Sequence, residues 1–302
     1  MQSSLAFLVN YTKDIQEADK ANVKLHFNLW DLYTEKDKKE TFLDVGVYIK
    51  DIKNIKEFLI YFPFHIKNNE FIDLHSCFRT DSELVRTIFN HNLSFNSVSN
   101  SLSYISYDSK GTTDDFFVHT LPFESAAMLA VNHQNYAYNG DGLNSTLFTM
   151  TDTFLECVRG YQETAVEAET TNAAYFRFRV PLKDRSVFIS AYEPKHSFIT
   201  GALNKNEIID FRVNESRSLP SGLYNEKESR RMSFVSDSID YFLVKDAWCE
   251  YQGSHSGFKK SRTLEKSFWL DYLIFKSNNE NLRKALKNDE PIVIYHWQKT
   301  KN

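Results

Sequence analysis

Along this chain apolar residues return at every second position more often than at every third or fourth. In Val23-Lys-Leu-His-Phe-Asn-Leu-Trp30 positions 23, 25, 27 and 29 are apolar while 24, 26 and 28 are polar, the pattern of a strand with one face turned inward. Short runs rich in aromatic and β-branched residues, bounded by turn residues, predict further strands. They fall at Ala6–Tyr11, Phe42–Ile49, Glu57–Phe64, Leu102–Tyr107, Asp115–Leu121, Ala174–Val180, Ser186–Tyr192, Ile208–Val213, Ser238–Val244 and Pro291–Trp297. Pro63 and Pro181 each close an apolar run. Proline cannot donate to a ladder, so both runs should lie at a sheet edge or stop there.

Helical spacing is rarer. Thr80-Asp-Ser-Glu83 reads as a capping box opening a helix whose stripe is Leu84, Val85, Ile88 and Phe89. Leu264, Phe268, Tyr272 and Phe275 predict a second helix starting near Thr263, and Pro122–His133 a third, with proline in its first turn. Thr151–Arg159, stopping before Gly160, and Asn279–Lys287 complete the set. Grouped strands with helices between them predict a strand-rich α+β fold of largely antiparallel sheets. At 302 residues two lobes are the natural prior. The polar stretch 161–172 is the expected connection between an amino-terminal lobe, 1–160, and a carboxyl-terminal lobe, 173–302.

Composition narrows the chemistry. Aromatic residues make up 15% of the chain, yet it holds only 9 glycines, and glycine-lined backbone is what cradles phosphates in nucleotide-binding loops. Neither Gly-x-Gly-x-x-Gly nor Gly-x-x-x-x-Gly-Lys-Ser/Thr occurs. Asn139-Gly-Asp-Gly142 reads as a tight turn. No His-Glu-x-x-His, Cys-x-x-Cys or Gly-x-Ser-x-Gly is present, so neither a metal site nor a cofactor is expected. Cys77, Cys157 and Cys249 are widely spaced and odd in number, which suits buried reduced thiols. With no apolar run near 20 residues and no signal-like start, a cytoplasmic protein without membrane contact is expected.

The net charge of −4 is unevenly spread, −6 over residues 1–150 and +2 over 151–302. A phosphate-bearing ligand, a nucleic acid or an acidic partner would therefore meet the carboxyl half. There the cluster His255-Ser-Gly-Phe-Lys-Lys-Ser-Arg262 leads into the helix expected from Thr263, which places Lys259, Lys260 and Arg262 beside exposed helix N–H groups. Arg230-Arg231 and Arg177-x-Arg179 add charge in the same half. The four tryptophans lie in apolar segments and are expected in packing.

These features favour a non-catalytic interaction, sensor or regulatory protein with a protein partner. Plentiful Lys, Asn, Ile, Phe and Tyr match AT-rich coding, and with it an accessory bacterial system of the phage-defence or toxin-like kind. Two alternatives stand beside this reading. One is a metal-dependent nuclease whose composite site uses Asp44, Asp51 and Lys53, which have the bare spacing of an acid followed by an acid-x-Lys pair. The other is a nucleic-acid binder that uses the carboxyl-half charge and the tryptophans.

Overall fold

A computed structural model describes residues 4–12, 20–35, 38–89, 93–109, 112–138, 141–164, 171–192, 206–249, 251, 253, 257–277, 280–287 and 291–300. The first half contributes strands β1 (Ala6–Tyr11), β2 (Asn22–Glu35), β3 (Lys38–Lys50), β4 (Ile55–Phe62), β5 (Ile72–Asp73), β6 (Leu93–Ser97), β7 (Leu102–Ser109), β8 (Thr112–His119), β9 (Leu129–Tyr138) and β10 (Asp141–Met150). The second contributes β11 (Ala174–Pro181), β12 (Ile189–Tyr192), β13 (Asn206–Ile209), β14 (Ser233–Phe234), β15 (Ser238–Asp246), β16 (Lys260–Leu264) and β17 (Ile292–Thr300). Helices are α1 (His75–Thr80), α2 (Ser82–Phe89), α3 (Asp152–Thr164), α4 (Ser221–Ser229), α5 (Lys266–Leu273) and α6 (Glu280–Leu286).

The chain is α+β, with mostly antiparallel sheets. A ten-stranded sheet runs β16-β17-β15-β2-β3-β11-β8-β7-β6, with β5 also paired to β11, and a five-stranded sheet runs β14-β1-β4-β10-β9. Only β15 with β2 and β11 with β8 pair in parallel among these ladders. The two segments expected as lobes share both sheets. β2 and β3 of the first segment sit between β15 and β11 of the second, and β14 pairs with β1. The segment expected to connect them begins inside α3, which continues through Gly160, and Asn172 at its far end donates from Nδ2 to Asp51 at 2.8 Å.

The two sheets pack face to face. Val23, Leu25, Phe27 and Leu29 of β2 meet Phe7 and Val9 of β1 and Phe58, Ile60 and Phe62 of β4, all fully buried. Aromatic edges interlock across the layer, Phe7 on Phe27 at 5.6 Å and Phe62 on Phe178 at 6.3 Å between ring centroids. Full burial of each such side chain contributes roughly 1.5–3 kcal/mol, so this interlayer core is the main cohesive element. The opposite face of the large sheet is covered in two patches. α5 and α6 lay Trp269, Tyr272, Leu273, Leu282 and Leu286 over Trp30, Phe42 and Val244, while α1 and α2 lay Phe78, Leu84 and Val85 over Ile105, Phe116 and Tyr175. On the outer face of the small sheet Leu223 of α4 packs with Leu8 and Tyr61. The resulting layers are helix, sheet, sheet, helix.

Three helix expectations need correction. Leu129–His133 pairs with β10, from Leu129 opposite Met150 to His133 opposite Thr146, so the segment expected as helix 122–133 is turns followed by a strand. The Thr151 hydroxyl donates to Ala127 and Met128 carbonyls at 2.9 Å and holds those turns, and tertiary pairing overrides the local alanine preference. At the capping box, the Thr80 hydroxyl donates back to Cys77 O at 3.0 Å and finishes α1. Asp81 instead caps α2, its Oδ1 accepting from Glu83 N at 3.0 Å and Leu84 N at 3.1 Å. Residues 260–264 form β16 rather than a first helical turn, because they pair with β17 and bury Leu264 opposite Ile292. Among the described residues no helix is long and apolar enough to cross a membrane.

Candidate functional site

The correction at β16 relocates the basic cluster. Lys259, Lys260 and Arg262 do not lie at a helix N-terminus; they run along the exposed edge of the large sheet. His255 lies outside the described residues. Arg230 belongs to another layer, at the end of α4, where it pairs with Glu226 at 2.9 Å and Glu57 at 3.0 Å. Arg231 follows it in an exposed left-handed turn with φ 53°. These two therefore do not join the cluster.

Beside β16 the helix-side face of the large sheet is left bare between α2 and the edge, and a cavity of about 560 Å³ opens there. Its floor follows from strand alternation. The residues of β2 that face away from the core, Lys24 and His26, come level with Ser238 and Asp240 of β15, and Asp240 stands opposite Gln298 of β17. Phe89 and Ile88 close one side, and Lys260 and Arg262 close the other. Gly46 lies next to His26 in register, and a Cβ there would come within 2.2 Å of the Tyr175 hydroxyl, so only glycine lets Tyr175 cross the sheet at this point.

At the centre of the floor Asp240 stands between two imidazoles. His296 Nε2 donates to its Oδ1 at 2.7 Å, and His26 Nε2 lies 3.9 Å from Oδ2. Gln298 bridges outward, its Nε2 at 3.5 Å from Asp240 Oδ2 and its Oε1 accepting from Lys259 Nζ at 2.6 Å. Burial raises the Asp240 carboxyl, but the hydrogen bond from His296 and the nearby His26 outweigh it and hold the group below the usual carboxylate range. His26 is pushed down to about 4, chiefly by burial, with Arg177 and Lys24 adding to the effect against the pull of Asp240. It is a neutral imidazole near pH 7. His296 stacks on Phe242 at 4.3 Å with 12° between planes, and Lys24 lies over Tyr48 at 5.2 Å. Cations, aromatic faces and the carboxylates of Asp237 and Asp240 thus share a single concavity.

Other charge clusters are closed. Asp44 is fully buried and accepts from Arg179 at 2.6 and 3.1 Å, from Trp30 Nε1 at 2.9 Å and from the Tyr272 hydroxyl at 2.6 Å. Arg177 beside it donates to the Tyr272 and Tyr175 hydroxyls and to Asn28 Oδ1 at 2.8–3.1 Å. Asp51 occupies a left-handed turn with φ 62°, and Lys53 lies in the 3-10 turn that follows it. Seven residues of largely extended chain separate Asp44 from Asp51 by about 20 Å. The structure does not gather Asp44, Asp51 and Lys53 into a metal-binding set; their spacing had suggested one. Asp31 is likewise saturated, by Lys245 at 2.5 Å, Thr41 at 2.7 Å, Arg185 at 2.8 Å and Lys39 at 3.2 Å. His75 bridges Ser103 at 2.9 Å and Thr120 at 2.7 Å in a serine–histidine arrangement, yet His75 and Ser103 are both buried beyond reach of a substrate. Among the described residues no three His, Cys, Asp or Glu side chains gather as metal ligands.

Of the tryptophans, Trp30 and Trp269 are core, while Trp248 is 58% exposed and lies tilted against Tyr33. Cys77 is buried, with burial pushing its thiol up to about 12, and Cys157 and Cys249 are half-buried. The sequence reading found Lys259, Lys260 and Arg262 but missed Lys24, His26, Asp240 and His296. The only trace of those four is polar residues on the outward-facing register of strands whose other face is core. No known protein-family model matches this chain, and no curated protein matches it.

Proposed function

We propose that this chain is a binding protein of the sensor or regulatory kind that receives a phosphate-bearing ligand in the cavity beside β16 and passes its occupancy to a protein partner. One observation carries the reading. Lys24 of β2 and Lys260 and Arg262 of β16 project around one aromatic-lined concavity and, among the described residues, none of them pairs with a carboxylate. Elsewhere the pattern is the reverse, with Arg177, Arg179, Arg185, Lys39 and Lys245 all spent on buried acids. Unspent cations over apolar walls are what recognition of an anion with a ring or chain attached requires, and the cavity is of ordinary small-ligand size.

The test is calorimetric titration of the full chain with inorganic pyrophosphate at low and moderate salt. Binding should weaken as salt rises and should fall at least tenfold when Lys259, Lys260 and Arg262 are replaced together by Ala. The melting temperature should stay nearly unchanged, since the three side chains are exposed. Unaltered affinity in the triple variant would return the cluster to plain surface. A long mixed-sequence RNA bound far more tightly than pyrophosphate would favour the nucleic-acid reading. Mg²⁺-dependent cleavage lost in Asp51→Ala would favour the nuclease.

A further inference from the structure

We propose that the ligand of this cavity is a guanine nucleotide, with its base edge read by Asp240 and its phosphate held by Lys259, Lys260 and Arg262. The proposal rests on the anion-binding reading above and narrows it. A site evolved for a bare anion gains nothing from a carboxylate on its floor. Here Asp240 is placed on that floor and kept ionised, 16% exposed, with Oδ1 engaged by His296 and, among the described residues, Oδ2 touched only at 3.5 Å by Gln298 and 3.9 Å by His26. A carboxylate accepts about four hydrogen bonds, so this one keeps capacity for donors brought by a ligand.

The ligand must therefore combine an anionic tail with adjacent N–H donors. Guanine supplies them, since its N1–H and exocyclic amine lie side by side on one edge and match the two oxygens of a carboxylate. Adenine and cytosine each set one donor beside a ring-nitrogen acceptor, which would face Asp240 with a lone pair. Uracil offers one N–H between two carbonyls. The ring itself has surfaces to lie on, because the Phe242–His296 stack and the Tyr48, Phe89 and Phe116 rings line the same space. The spacing also fits. β16 is two strands from β15, and the register sets Lys260 two and Arg262 four residues along from the level of Asp240, so their backbones lie about 12 and 17 Å from its own, a span that a nucleoside monophosphate and the long basic side chains bridge together.

The test compares GMP, AMP, CMP, UMP and inorganic phosphate by titration calorimetry against the full chain and against Asp240→Asn. GMP should bind at least tenfold more tightly than the other nucleotides, as expected when a buried polar partner is left unpaired by the wrong ligand. Asp240→Asn should erase that preference without weakening phosphate binding, since it removes a negative charge from the floor. AMP binding as tightly as GMP, or a guanine preference that survives Asp240→Asn, overturns the proposal while phosphate binding keeps the broader reading alive. Absence of binding by phosphate and by every nucleotide overturns both. Should Asp240→Asn lower the melting temperature, the GMP-against-AMP comparison on the parent chain decides the matter alone.

Discussion

Asp44 is the residue whose replacement most sharply separates a structural carboxylate from a chemical one. Asn is isosteric with Asp, so Asp44→Asn keeps the volume and one acceptor while removing the charge that faces Arg179 at 2.6 and 3.1 Å and Arg177 at 3.8 Å. Both guanidiniums are buried beneath α5. Removing one partner of a buried ion pair typically costs about 3–5 kcal/mol, because the charge left behind is neither solvated nor paired. At an unfolding entropy of about 2.1 cal/mol/K per residue, a chain of 302 residues would lose about 5–8 °C in melting temperature. Thermal and urea unfolding at pH 7 give the number. Replacing Arg179 by Met in the same chain should recover a good part of the loss, since an uncharged pair of similar volume removes the orphaned charge. A shift under about 1 °C would refute the assignment of Asp44 as the counter-charge of the buried arginines. Loss of a metal-dependent cleavage activity without any such shift would revive the nuclease reading.

Gly46→Ala should cost about 1–3 kcal/mol by overpacking, as the new methyl meets the Tyr175 hydroxyl, and differential scanning calorimetry reads it directly. The opposite result, a variant at least as stable as the parent, would mean that Tyr175 shifts freely and that the cavity floor is less constrained than its register suggests. Asp73 should make stability depend on pH, since burial raises its carboxyl to about 7 against the hydrogen bonds from Leu121 N and His75 N. A folded value above the unfolded one means that its contribution is full below about pH 4 and is lost as pH rises through 7. Asp73→Asn should therefore gain on the parent between pH 4 and pH 8 by up to about 4 kcal/mol. Urea midpoints at the two pH values test this, and an unchanged difference between parent and variant would show that the carboxyl ionises in place without cost.

Much of the fold was legible because alternation survives where one strand face is wet. β2 shows it in its first half, where Lys24 and His26 look into the cavity, whereas β15 and β17 were legible as short runs of aromatic and β-branched residues. From Phe27 to Leu32 the same strand is buried on both faces, and Phe42-Leu-Asp-Val-Gly-Val47 of β3 is buried at every position, so period two gives way to a continuous run. Pro63 and Pro181 were read correctly as stops, for β4 ends at Phe62 and β11 at Pro181, although neither strand is an edge. β9 and β16 could not be found from local pattern, since each is extended only because a partner strand lies beside it, β10 for one and β17 for the other.

The same logic explains why the cavity was only half visible. Its basic rim is contiguous in sequence, at 259–262, and stood out as a charge run. Its floor draws on residues 24, 26, 240 and 296, which become neighbours only because β15 runs parallel to β2 and antiparallel to β17. A parallel pairing over such a separation leaves no short-range signal, as the crossover that creates it is more than 200 residues long. That the sequence leaves the role of Asp44 open has the complementary cause. A carboxylate flanked by apolar neighbours on a strand looks the same in sequence whether it faces a cavity or an arginine, and here Arg179 stands directly across from it in register. Asp44, Arg177 and Arg179, covered by α5, pair within the fold, whereas among the described residues Lys24, Lys260 and Arg262 on the uncovered half pair with no carboxylate. On the proposed reading, the cover that α5 gives Arg177 and Arg179 and that Lys24, Lys260 and Arg262 lack is what separates the structural cations from those offered to a ligand.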